Sequence, residues 1–178
     1  MKIKVIAFLF FSMAYFSFAQ PVVSTGAVVG GGMFSATSAS VGGFSTGVFG
    51  ELNFPMFEEV YPRAGFLFIK DFNAILPNTK KTYHPYILGI YFKGITSQYF
   101  DNRIFLEEGV GVTALNDHTF SDSDLWDYGV VLSFSVGVDL RNYELRGFKV
   151  GAGVEYAITF FETLPQYTSV HLQCQYLF

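Results

Sequence analysis

Between residues 126 and 141, large apolar side chains and small or polar ones take strict turns along the chain. Trp126, Tyr128, Val130, Leu132, Phe134, Val136, Val138 and Leu140 fall on one parity, and Asp127, Gly129, Val131, Ser133, Ser135, Gly137, Asp139 and Arg141 on the other. A period of two is that of a β-strand, whose successive side chains point to opposite faces. Residues 148 to 160 repeat it, with Phe148, Val150, Ala152, Val154, Tyr156, Ile158 and Phe160 against Lys149, Gly151, Gly153, Glu155, Ala157 and Thr159. At the C-terminus Val170, Leu172, Cys174, Tyr176 and Phe178 oppose Ser169, His171, Gln173 and Gln175.

Another strand carries Tyr86, Leu88, Ile90 and Phe92 against Gly89, Tyr91 and Lys93. Weaker alternation predicts strands near 22–34, 41–54, 62–72 and 103–115, which brings the number to eight. In the first, the run Gly30-Gly31-Gly32 predicts a bend or bulge. In the fifth, the parity of Ile104, Leu106, Val110 and Val112 also carries Glu108, next to Glu107 on the opposite parity. A β-bulge at this pair, or a rim position for Glu108, would resolve the conflict. The connectors, at 35–40, 53–61, 73–83, 97–102, 116–124, 142–146 and 162–166, are rich in Pro, Asn, Asp and Ser, as loops are. With both termini in the periplasm, the connectors at 73–83 and 116–124 face outside.

Alternating strands fit a soluble barrel with its apolar face inward or a membrane barrel with that face outward. An eight-stranded barrel is only just wide enough inside for side chains to fill, which suits the parity rich in Gly, Ser and Thr. Composition points the same way: charged residues make up 15% of the chain and aromatic residues 19%, a poor basis for a water-facing surface. Tyr61, Phe72, Tyr83, Tyr99, Phe100, Trp126, Tyr128, Phe148, Phe160, Phe161, Tyr167 and Tyr176 lie near strand ends, where they would form interfacial girdles. The expected fold is an all-β, eight-stranded antiparallel up-and-down transmembrane β-barrel.

Residues 1–19 read as a cleaved export signal, with Lys2 and Lys4 ahead of an apolar run from Val5 to Phe16 and the small-x-small site Ser17-Phe18-Ala19. The barrel domain is then 20–178. No later apolar stretch is long enough for a membrane helix. A net charge of −4 without a basic run gives no footprint for nucleic acid, and the single Cys174 excludes an intrachain disulfide or a cysteine zinc cluster.

The export signal, the eight alternating strands and the final VHLQCQYLF ending in Phe178 resemble the small outer-membrane barrels of the OmpA/OmpX type. The resemblance implies a Gram-negative outer-membrane location, a surrounding of outer-membrane lipid and a monomer. It also implies periplasmic chaperones and the barrel-assembly machinery as biogenesis partners, with Phe178 as the assembly signal.

The inward parity gathers Glu51, Arg63, Lys93, Glu107, Asp139, Arg141, Lys149, Glu155 and His171. Charges that cannot face lipid must pair or stay hydrated, so a lumen network is expected, structural or forming a narrow polar path. A more distant resemblance, to lipid A deacylase-like barrels, implies a Ser, a His and a Glu in nucleophilic hydrolysis. Ser169, His171 and Glu155 are the candidates here, although Ser-x-His reverses the order in that family. His84, His118 and His171 lack metal-ligand spacing. Asp117, Asp122, Asp124 and Asp127 lack the glycine and closing glutamate of an EF-hand, and read as a solvated acidic loop. No metal or cofactor is expected. Three functions follow: a non-enzymatic outer-membrane barrel with an envelope-structural, surface-interaction or narrow-pore role, an outer-membrane lipid esterase, or a soluble lipocalin-like carrier.

Overall fold

The computed structural model describes residues 22–53, 60–75, 82–101, 103–142 and 146–178. The export signal expected at 1–19 lies outside the described residues. Eight strands form: β1 (Val22–Ser35), β2 (Val41–Asn53), β3 (Tyr61–Asp71), β4 (Tyr86–Tyr99), β5 (Ile104–His118), β6 (Leu125–Asp139), β7 (Gly147–Thr159) and β8 (Gln166–Leu177). Each pairs antiparallel with its sequence neighbour, and β8 pairs with β1 to close the barrel.

The closure has a measurable stagger. From Gly31, register partners lead one way through Phe44, Lys70 and Tyr86 to His118. The other way they lead through Val170, Val154 and Phe134 to Glu108, ten residues away on the same strand. Such a shear in an eight-stranded barrel tilts the strands by roughly 35–45° and leaves a lumen that side chains fill.

The apolar parity faces outward, as expected: Val48, Val110, Val112, Val170 and Leu172 are each about three-fifths exposed. Cys174 is a free, outward-facing thiol. This belt excludes the soluble carrier, whose apolar face would line the inside. A shallow outer depression of about 730 Å³ over Thr25, Ala27, Gly50, Ala64 and Cys174 belongs to the same face.

Two local expectations fail. The Gly30-Gly31-Gly32 run has no bulge, since it pairs continuously with Ser45-Phe44-Gly43 on one side and His171-Val170-Ser169 on the other. These glycines serve close approach: a Cβ on Gly32 would come within 1.9 Å of the Thr168 carbonyl oxygen, and one on Gly30 within 2.1 Å of that of Val170. Nor does β5 bulge at Glu107-Glu108, because Glu107 pairs with Ser97 and Ser135 and Glu108 with Thr96 and Phe134 in unbroken register. Glu107 therefore points in, and Glu108 is an exposed outward carboxylate, the fifth residue of its strand. β5 also runs on through Asn116, Asp117 and His118, assigned above to a loop, because their backbones pair with Tyr86–Leu88.

Glycine at the β1–β8 seam should be irreplaceable where glycine on the open outer face is not. Gly32→Val is expected to abolish the heat-modifiable, compact gel species that marks a closed barrel. Gly50→Val, whose Cβ would meet nothing within 4 Å, should retain it.

Candidate functional site

The lumen is layered along the barrel axis. At the end remote from the termini it is apolar: Phe34, Leu67, Ile69, Ile87, Leu115, Val131, Ala157 and Tyr167 point inward and form a buried cluster. The interior was expected to favour a mix of small and polar residues, but this half holds an apolar plug. Tyr167, expected in a girdle, is 1% exposed inside the lumen, since its position on β8 shares the inward parity of Ser169 and His171.

The half nearer the termini holds the ionic side chains, and the barrel brings together the nine predicted from parity, eight of them in ion pairs. Glu51 and Arg63 are register partners on β2 and β3, and Arg63 Nη2 lies 2.6 Å from Glu51 Oε2 and 2.9 Å from Glu107 Oε2. Glu107 also accepts from Lys149 Nζ and from Gln173 Nε2, both at 3.2 Å. Gln175 Nε2 donates to Glu51 Oε1 at 2.9 Å and to Ser24 Oγ at 2.7 Å, tying the last strand to the first. In a second group Glu155 lies 2.5 Å from Lys93 Nζ and accepts from the Tyr167 hydroxyl at 2.6 Å, while Lys93 reaches Ser133 Oγ at 3.3 Å.

At the mouth, Arg141 Nε donates to both oxygens of Asp139 at 2.8 Å, and the Tyr99 hydroxyl joins Asp139 at 3.0 Å. Aromatic faces cover the remaining cation surface. Arg63 lies 4.4 Å from the Phe49 ring centre, Lys93 4.4 Å from that of Tyr91, and Lys149 4.6 Å from that of Phe105.

The bookkeeping of charge closes: Glu51, Glu107, Glu155 and Asp139 face Arg63, Lys93, Lys149 and Arg141. His171 is the ninth residue. It is buried and lines, with Arg63, Lys93, Glu107 and Glu155, a cavity of about 10 Å³. That is room for about one water molecule.

The candidate triad lies on one wall, with Glu155 and Ser169 as register partners and His171 opposite Gly153. Glu155 is engaged by Lys93 and Tyr167 rather than by His171, and all three side chains are buried between the plug and the ionic groups. Nucleophilic hydrolysis needs a base oriented by that carboxylate and a path for substrate. The arrangement provides neither.

The acidic stretch divides. Asp122 and Asp124 stay in the β5–β6 loop, but Asp117 and Asp127 are fully buried and bind protein, which corrects the solvated reading for both. Asp117 accepts from the Thr119 backbone N–H and the Thr37 hydroxyl. Asp127 accepts five backbone N–H bonds: Oδ1 from Tyr128 and Phe161, and Oδ2 from Glu162, Thr163 and Leu164, all between 2.9 and 3.2 Å. Sequence reasoning missed this clamp, although Asp127 sits on the inward parity at a strand end. Nearby, the Tyr83 hydroxyl donates to the carbonyls of His118 and Phe120, and burial, reinforced by Tyr86, Asp117 and Asp122, raises its pKa. His118 stacks on Tyr86 and lies 3.6 Å from Asp124. Among the described residues no group of three or more His, Cys, Asp or Glu is placed to hold a metal ion.

No protein-family model and no curated protein matches the chain in sequence. Solved structures do match in fold. Neisserial surface protein A (NspA) superimposes with a TM-score of 0.66 at 11% identity, covering 88% of this chain and 97% of that one. Ail, the attachment invasion locus protein of Yersinia pestis, gives 0.54 at 9% identity, covering 89% and 97%. Its complex with the heparin analogue sucrose octasulfate gives 0.56 at 7%, covering 89% and 99%. The chain thus has the closed, eight-stranded, antiparallel up-and-down architecture of small outer-membrane β-barrels, of the OmpA/OmpX kind.

Removing one member of a buried pair leaves the other uncompensated, which costs about 3–5 kcal/mol, whereas replacing both is far milder. Lys93→Met alone should therefore lower the unfolding free energy in detergent by about that amount. The double variant Lys93→Met with Glu155→Gln should recover most of it, as read from denaturant midpoints of the folded gel band.

Proposed function

We propose that the protein is a non-conducting outer-membrane barrel of a Gram-negative bacterium, with an envelope-structural or surface-interaction role and no enzymatic activity. The apolar exterior calls for a hydrocarbon surround. The termini then face the periplasm, and the plugged end, with the loops after β1, β3, β5 and β7, faces the outside. On this reading residues 1–19 are removed on export. Phe178, whose N–H donates to the Val23 carbonyl beside the Tyr176 ring, is the signal read by the assembly machinery.

The observation that carries the proposal is the filled lumen. A conducting path needs continuous water, but among the described residues the paired ions and the small cavity between them end against the cluster from Leu67 to Phe34. NspA and Ail carry names that speak of the cell surface and of attachment, and the same architecture suits a barrel that holds loops in place rather than passing solute. Opening the plug would require displacing several large buried side chains at once.

Protein reconstituted into planar lipid bilayers should give no unitary conductance steps above the bare-membrane leak, across a range of salt and voltage. Reproducible ohmic steps would overturn the proposal. A variant with Leu67→Ser, Ile87→Ser and Leu115→Ser is the positive comparison, since it removes apolar bulk from the buried cluster.

A further inference from the structure

The loop between β7 and β8, residues 160–165, combines features that a water-facing loop does not need. Phe161 is 69% exposed and Leu164 52%, on a loop only six residues long. The N–H groups of residues 161 to 164 all turn inward to the Asp127 carboxylate, and the Pro165 carbonyl accepts from both the N–H and the hydroxyl of Thr159. An exposed loop in water can satisfy its amides with solvent as well as internally. One that meets lipid has no such partner and must satisfy them internally.

The second feature is strain. Leu164 has φ of +52°, the one non-glycine residue with positive φ among those described. That conformation is sparsely populated and persists only where the surroundings enforce it, commonly at functional positions. Here the Leu164 N–H is held by the Asp127 carboxylate, and its side chain is left exposed, as is that of Phe161.

The third is continuity with the lipid-facing wall. Phe160 N–H donates to the Tyr128 carbonyl, so the loop begins in register with the outward face that carries Trp126 and Tyr128. Leu125, Trp126, Tyr128, Phe160, Phe161 and Leu164 are all exposed at this corner. Glu162, also exposed, needs water or headgroups, which limits the depth of the loop to the boundary between the two. The β5–β6 loop differs, since its exposed Phe120 is accompanied by Ser121, Asp122, Ser123 and Asp124.

We propose that this loop is a preformed membrane-interface anchor, with Phe161 and Leu164 seated in the acyl-chain region just below the lipid headgroups of the outer leaflet. The proposal rests on the membrane reading above, and its test separates the two. In a Trp126→Phe background, which removes the sole tryptophan, one new tryptophan is placed by Phe161→Trp, Leu164→Trp, Phe120→Trp or Leu132→Trp. The proteins are folded into phosphatidylcholine vesicles containing lipid brominated near the glycerol end of the chain, and aqueous iodide is titrated in parallel.

The tryptophans at 161 and 164 should be quenched by the brominated lipid and be several-fold less accessible to iodide than that at 120. Iodide accessibility at 161 and 164 equal to that at 120, without bromolipid quenching, overturns the anchor and leaves the loop free in water, as a docking site for a protein would be. If the tryptophan at 132, on the middle of the outer wall, escapes quenching by vesicles whose lipid is brominated near the methyl end of the chain, the membrane reading itself fails.

Discussion

Hydrocarbon offers no hydrogen-bond partner, and the whole architecture answers to that. A sheet immersed in it must leave no edge, so β8 returns to β1 and every strand has two neighbours. With eight strands and a ten-residue stagger, the circumference is small, and the space inside is fixed before any side chain is chosen. Glycines such as Gly30 and Gly32 on β1, Gly111 on β5 and Gly129 on β6 sit where a Cβ would meet the neighbouring strand's backbone.

Within that space two solutions to filling a narrow tube sit end to end. Near the termini, acids and bases pair across the lumen and neutralise one another, with glutamines and serines completing their hydrogen bonds. Near the other end, branched and aromatic side chains do the filling. Tyr167 joins the halves: its ring packs in the apolar cluster and its hydroxyl reaches Glu155. Buried ion pairs of this sort are weak evidence for net stability, but once present they are costly to break one-sidedly.

Much of this was legible in the alternation alone. The parity in 126–141 fixes which residues face in, and the same alternation picks out Glu51, Arg63, Lys93, Glu107 and Glu155 as the ionic set. The plug was not legible because Leu67, Ile69, Ile87 and Leu115 look like ordinary strand residues unless the register says which end of the barrel they share. The expected bulges at Gly30–Gly32 and Glu107-Glu108 rested on local oddities that the barrel absorbs, one by close packing and the other by leaving Glu108 outward. The Asp127 clamp was not legible for a different reason: four of its five partners are backbone amides some 35 residues away, and backbone donors leave no mark in a sequence.

The pairing of the ionic groups bears on how the chain enters its membrane. Arg63 is 44 residues from Glu107, Lys93 is 62 from Glu155, and Gln175 is 151 from Ser24. Lys93 and Glu155, on β4 and β7, and Gln175 and Ser24, on β8 and β1, are brought together only as the ribbon closes. A ribbon that slid into the bilayer strand by strand would drag bare carboxylates and ammonium groups through oil. Penetration and circularisation must therefore advance together, with the charges kept wet on the concave side until the last hairpin seals against the first strand.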